Sequence, residues 1–138
     1  MTSRLNPYLS FKDNAAKAME FYKSVFGGEM ATMTFGQMGD QGPEKDKIMH
    51  SQLESPNGFT LMGSDTPSSM GDPRPNGSVS LSGDDTSEKE LKGYWDKLSA
   101  GGQVMMPLEK AQWGDSFGMV TDKFGVSWMV NIAGKPQQ

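Results

Sequence analysis

The amino-acid sequence predicts an α+β fold in which two βαβββ modules form a curved mixed sheet around a cavity. Three observations carry that expectation. The order strand, helix, strand, strand, strand can be read twice along the chain. Each helix runs into a glycine pair, Gly27-Gly28 and Gly101-Gly102. The closing stretch Gly58-Phe59-Thr60-Leu61-Met62 also aligns with Gly125-Val126-Ser127-Trp128-Met129, both following a turn-forming segment. One βαβββ unit leaves a sheet face uncovered, so two units, or two chains, are expected to combine around a shared concave surface.

The first strand is read at Asn6–Phe11, running into Asp13 as an N-cap whose carboxylate can accept an otherwise unpaired backbone N–H. Ala15, Ala18, Met19, Tyr22, Val25 and Phe26 recur at spacings of three and four and share one helical face, which should pack on the sheet. Gly27-Gly28 ends that helix, because glycine takes a left-handed backbone without steric cost. Strand-like runs follow at Glu29–Phe35, Ile48–Glu54 and Phe59–Ser64. In the second half Ser78–Ser82 is the strand, and Ser87-Glu88-Lys89-Glu90 has the spacing of a capping box. Leu91, Tyr94, Trp95 and Leu98 form the next buried stripe, and Gln103–Met105, Gly118–Thr121 and Ser127–Ile132 supply the last strands. Residues 1–138 are read as one domain: a first module over 1–64, a linker over 65–76 rich in Ser, Pro, Gly and Asp, and a second module over 77–138. The polar stretch Gly39–Lys47 is expected to be a mobile loop.

Composition narrows the function. A chain of 138 residues is long enough for one well-formed core and too short for two ordinary domains. Its net charge of −4 is spread without basic runs, so nucleic acid is not an expected partner. No apolar stretch approaches the roughly 20 residues needed to cross a bilayer, and no export signal opens the chain, so a soluble, cytoplasmic protein without a membrane partner is expected. The absence of cysteine excludes disulfides, thiol nucleophiles and zinc–thiolate sites. His50 is the one histidine, so a site of several imidazoles is impossible.

A family resemblance rests on particular residues. Asn6-Pro7-Tyr8-Leu9-Ser10-Phe11, Ala18-Met19-Glu20-Phe21-Tyr22-Lys23, Phe26-Gly27-Gly28, Met49-His50-Ser51, Leu61-Met62-Gly63-Ser64-Asp65, Trp113-Gly114-Asp115-Ser116-Phe117-Gly118 and the run from Asp122 to Asn131 together resemble the PhnB-like branch of the vicinal oxygen chelate (glyoxalase/bleomycin resistance/dioxygenase) superfamily. The resemblance implies the glyoxalase/bleomycin-resistance fold and a homodimer. It also implies a divalent metal held by one ligand from the first and one from the last strand of each module. By internal alignment those positions are Asn6 or Pro7, Ser78, Met62 and Met129. Thioether, proline and a lone hydroxyl are poor ligands for hard divalent ions, so no metal and no other cofactor is expected. A demethylubiquinone methyltransferase name attaches to this branch, but the chain has no Gly-rich strand-to-helix loop for a nucleotide methyl donor.

The candidate site residues follow from the strand pattern. His50 shares a strand face with Gln52 and is suited to general acid/base work or to binding an anionic oxygen. Tyr8 and Ser10 on the first strand, and Ser80 with Ser82 on its repeat, offer hydroxyls beside cavity volume. Met62 and Met129 are assigned to the cavity side, where thioethers make an adaptable apolar lining, and Trp128 to the core. Trp113 and Phe117 flank a glycine-rich loop suited to stacking on a ligand. The expected function is small-molecule binding of the glyoxalase/bleomycin-resistance type without the usual metal. The alternatives are a metal-independent enzyme using His50 on a small oxygenated substrate, and a metal-dependent lyase or dioxygenase.

Overall fold

The computed structural model describes residues 3–134. The chain divides between Asn76 and Gly77 into two compact units. Unit 1 contains β1 (Tyr8–Phe11), α1 (Ala15–Phe26), β2 (Glu29–Thr34), β3 (Ile48–Glu54) and β4 (Thr60–Asp65). Unit 2 contains β5 (Ser78–Gly83), α2 (Glu88–Ser99), β6 (Gln103–Lys110), β7 (Ser116–Thr121) and β8 (Ser127–Ile132). Each unit forms its own four-stranded sheet, in the order β1-β4-β3-β2 and β5-β8-β7-β6, so the second repeats the topology of the first. The first and last strands of each unit pair in parallel and the other pairs are antiparallel. The fold is α+β.

In unit 1 the helix covers one face of the sheet. Ala15, Ala18, Met19, Tyr22, Val25 and Phe26 of α1 are all buried, as the spacing predicts, and Leu9, Phe11, Leu53 and Leu61 complete that core. Gly63 lies under the helix, where a Cβ would stand 3.1 Å from the Met19 sulfur and 3.3 Å from the Phe11 ring. In unit 2, Leu91, Tyr94 and Leu98 are buried against Leu81, Val120, Trp128, Val130 and Ile132. Trp95 is half-buried and its ring lies where a side chain on Gly118 would stand.

The glycine pairs close the helices as expected and also serve packing. Gly27 and Gly101 have φ of 73° and 75°, in the left-handed region. Their successors press on backbone: a Cβ on Gly28 would stand 2.0 Å from the Glu54 carbonyl oxygen, and one on Gly102 2.4 Å from that of Thr121. The same close approach therefore occurs in both units, at the end of β3 and of β7.

The helix starts differ from expectation. Asp13 takes φ of 68° and does not cap α1; Asn14 stands at the N-cap and makes no side-chain capping bond. The cap comes from Asp65. This residue, expected to open the linker, is the last residue of β4 and is buried; its carboxylate accepts from Ala15 N at 3.0 Å and Ile48 N at 2.9 Å. A buried carboxylate satisfied by two backbone donors, one of them at a positive helix end, is strongly held. The capping box at Ser87 also fails to form. A 3₁₀ turn over Asp85–Ser87 precedes α2, Asp84 accepts from Thr86 N at 3.0 Å, and Ser87 makes no side-chain capping bond. Glu90 instead receives the Tyr94 hydroxyl at 2.7 Å.

The polar stretch Gly39–Lys47, expected to be mobile, is tied down at both ends. Phe35 and Gly36 donate backbone hydrogen bonds to the carbonyls of Lys47 and Lys45. Lys47 Nζ lies 2.6 Å from Asp13 and 3.6 Å from Glu44, while Glu44 accepts from Ser68 N at 3.0 Å and from the Ser68 hydroxyl. The linker is anchored too. Asn76 Oδ1 accepts from Ser10 N at 2.7 Å and Asn76 Nδ2 donates to Ser10 O at 3.1 Å, so a side-chain amide occupies the free edge of β1 as a neighbouring strand would.

Candidate functional site

Strand registers define what each sheet presents on the face away from its helix. In unit 1, Tyr8 pairs with Met62, Met62 with Gln52 and Gln52 with Ala31, making one row across four strands. The next row holds Ser10 beside Ser64 and His50 beside Met33. In unit 2, Ser80 pairs with Met129, Met129 with Met119 and Met119 with Met106. The row beyond it is Ser82, Asn131, Phe117 and Glu109. Alternation decides these faces, because Leu61 and Trp128, the neighbours of Met62 and Met129, are buried under the helices.

The expected residues therefore fall into three groups. Tyr8, Ser10, His50 and Met62 share the helix-free face of unit 1. Tyr8 and His50 are in direct contact: the phenol oxygen lies 3.2 Å from His50 Nδ1, and the ring centroids are 5.7 Å apart. Since β4 separates their strands, the Tyr8 side chain spans that strand, where the residues on this face are Met62 and Ser64. Ser80, Phe117 and Met129 share the helix-free face of unit 2. Trp113 stands apart from the sheet, in the tight connection between β6 and β7 that closes through Ala111 N to Asp115 O at 2.7 Å. It is exposed, and its ring centroid lies 6.2 Å from that of Phe117.

Asp115 braces this connection. Its carboxylate accepts from Gly134 N at 3.0 Å and Asn131 Nδ2 at 3.1 Å, and these bonds, the backbone one first, hold its pKa below the usual carboxylate range. A groove of about 770 Å³ runs beside it, lined by Glu88, Lys110, Trp113, Asp115 and Ile132 among others. It lies at the hairpin end of the sheet rather than on the methionine row.

Sequence reasoning missed Met33, Met106, Met119 and Asn131 on these faces. Met119 and Asn131 follow from alternation on β7 and β8. Met106 was not legible, because β6 runs on to Lys110 and register shifts on both sides of Met106 break its period of two. The registers place Tyr8 beside Met62 and Ser80 beside Met129.

The family model described as 3-demethylubiquinone-9 3-methyltransferase matches residues 3–131. The chain belongs to this family. It is PhnB-like and has the glyoxalase/bleomycin-resistance fold. Protein YjdN of Escherichia coli K12 is 34% identical over 140 residues, covering 93% of this chain and 94% of YjdN. The crystal structure of PA1353 from Pseudomonas aeruginosa is 38% identical with a TM-score of 0.84, covering 97% of this chain and all (100%) of that one. The PhnB protein from Bacillus cereus is 25% identical with a TM-score of 0.74, covering 95% of this chain and 100% of that one. A glyoxylase/bleomycin resistance protein/dioxygenase domain from Frankia shares the fold at 12% identity, with a TM-score of 0.62 over 99% of this chain and 96% of that one.

The metal that the resemblance implies can be tested in each unit separately. Unit 1 offers the Tyr8 phenol and the Met62 thioether, and unit 2 the Ser80 hydroxyl and the Met129 thioether, donors that do not suit a hard divalent ion. Among the described residues no group of three or more His, Asp or Glu side chains comes together. Among the described residues no helix is long and apolar enough to cross a membrane.

Proposed function

We propose that this protein binds a small, partly apolar molecule on the helix-free faces of its sheets, without the metal centre associated with the superfamily. The observation that carries this reading is the pair of equivalent rows, Tyr8–Met62–Gln52 and Ser80–Met129–Met119–Met106. They combine polarizable thioethers with hydroxyl and amide groups, the chemistry of an adaptable pocket that orients its ligand through a few polar contacts. A cytoplasmic homodimer is part of the proposal. It is supported by the outermost strand β6, where Val104, Met105 and Met106 are exposed. Methyl transfer, the activity in the family's description, is not adopted, because neither strand-to-helix junction, Lys12–Asn14 or Asp84–Ser87, contains glycine.

The test is titration with diphenylhexatriene, a neutral hydrocarbon dye whose emission rises on leaving water. Saturable binding is expected, weakened on the order of tenfold by Met62→Glu or Met129→Glu in protein shown by near-UV circular dichroism to be folded. Absence of saturable binding, or near-stoichiometric Zn, Ni, Mn or Fe in protein purified without added metal, would overturn the reading.

A further inference from the structure

We infer that Tyr8 fixes the protonation pattern of His50 and so makes the helix-free face of unit 1 a site for an acceptor oxygen, a carboxylate, carbonyl or phenolate, carried on an apolar body. This rests on the small-molecule reading above and names its ligand class. A phenol is a good donor and a weak acceptor, whereas an unprotonated imidazole nitrogen is a good acceptor, so across 3.2 Å Tyr8 donates to His50 Nδ1. A neutral imidazole carries one proton, and the bond made by one ring nitrogen decides where it sits. With Nδ1 accepting, the proton is on Nε2.

Nε2 has no hydrogen-bond partner among the described residues. The neutral ring thus offers an N–H donor, and protonation leaves that donor in place, so Nε2 is a donor in either charge state rather than a base. The surroundings suit an acceptor attached to an apolar group. Met33 pairs with His50 and Met62 with Tyr8. The carboxylate on the same strand, Glu54, is engaged by Arg4 at 3.3 Å and Gln52 Nε2 at 3.2 Å, which leaves it a poor competitor for the imidazole. Unit 2 cannot repeat this chemistry, since Phe117 and Ser80 occupy the positions of His50 and Tyr8.

Because the chain has one histidine, its ring nitrogens are read without assignment ambiguity in a long-range proton–nitrogen NMR correlation of the labelled full chain. In the neutral ring the tautomer protonated on Nε2 is expected to dominate, and Tyr8→Phe should lower its share. Benzoate, the probe ligand, should shift Nε2 saturably, with affinity falling on the order of tenfold in His50→Phe. A dominant tautomer protonated on Nδ1, a ratio unchanged in Tyr8→Phe, or an Nε2 signal indifferent to benzoate would each overturn the inference. The tautomer is read without ligand, and diphenylhexatriene, a hydrocarbon, binds without any acceptor oxygen. Retained dye binding with no benzoate response therefore sinks this inference alone, whereas lost dye binding sinks the small-molecule reading.

Discussion

The two units share strand order and registers, yet they begin their helices by different means. In unit 1 the acceptor is Asp65, which reaches the start of α1 from 50 residues away and also holds the first backbone N–H of β3. In unit 2 the matching position at the end of the last strand is Ile132, and α2 is entered through a local 3₁₀ turn capped by Asp84. A buried carboxylate thus joins three elements in one unit, while one local carboxylate, Asp84, caps the entry turn in the other. A repeated backbone does not require a repeated solution at each junction; it requires that every orphan donor be met.

The largest effect should come from breaking the long-range version. Asp65→Ala leaves the N–H groups of Ala15 and Ile48 unpaired in the interior, and a loss of about 3–4 kcal/mol is expected in urea denaturation. Asp84→Ala, at an exposed turn that water can solvate, should shift the midpoint much less. Equal losses would mean that the two junctions do not differ in kind.

The closing turns sharpen the same contrast. Ser55 N donates to Phe59 O and Asp122 N to Val126 O, both at 2.9 Å, so the two turns match in backbone. Their side chains do not. Asp122 accepts from Phe124 N, Val126 N and Trp128 Nε1 at 2.8, 3.1 and 2.9 Å, whereas Ser55 Oγ accepts from Phe59 N at 3.1 Å and Leu61 stands where unit 2 has Trp128. Asp122→Ala should cost about 2–3 kcal/mol and Ser55→Ala about 1 kcal/mol, read as thermal midpoints, because more buried donors lose their acceptor in unit 2. Replacing Trp128 by Leu in the Asp122→Ala background should recover part of the loss by removing one orphan.

The smallest effect concerns acid. Bonds from Ser68, side chain first, lower the pKa of Glu44 in unit 1, and the Gly134 and Asn131 donors lower that of Asp115 in unit 2. A depressed carboxylate contributes stability that is present above its unfolded pKa and lost as pH falls through its folded value. Both units should therefore weaken as pH drops below about 4. Glu44→Gln and Asp115→Asn should each flatten that dependence, followed by amide exchange near Ser68 and near Gly134 respectively. If neither variant alters the acid limb, these bonds do not couple to folding.

Much of the fold was legible because it is written locally. The α1 stripe, the two glycine pairs, most strand limits and the opposite facing of Trp128 and Met129 follow from periods of 3.6 and 2 and from the special backbone freedom of glycine. The chemistry of the candidate face was legible in part. Tyr8, His50, Met62 and Met129 stand out by type and parity, but their distances depend on pairing. The β6 bulges hid Met106 because an inserted residue inverts the parity from which a face is read.

By itself the sequence determined the element order, the duplication, the buried stripes and a chain with one imidazole and no thiol. The tertiary structure decided that Asp65 rather than Asp13 caps α1, that Asn76 seals the edge of β1, and that Tyr8 meets His50 across β4. Each of these joins groups tens of residues apart, and no local propensity encodes such a contact. It exists only once the strand register has brought donor and acceptor within about 3 Å of one another.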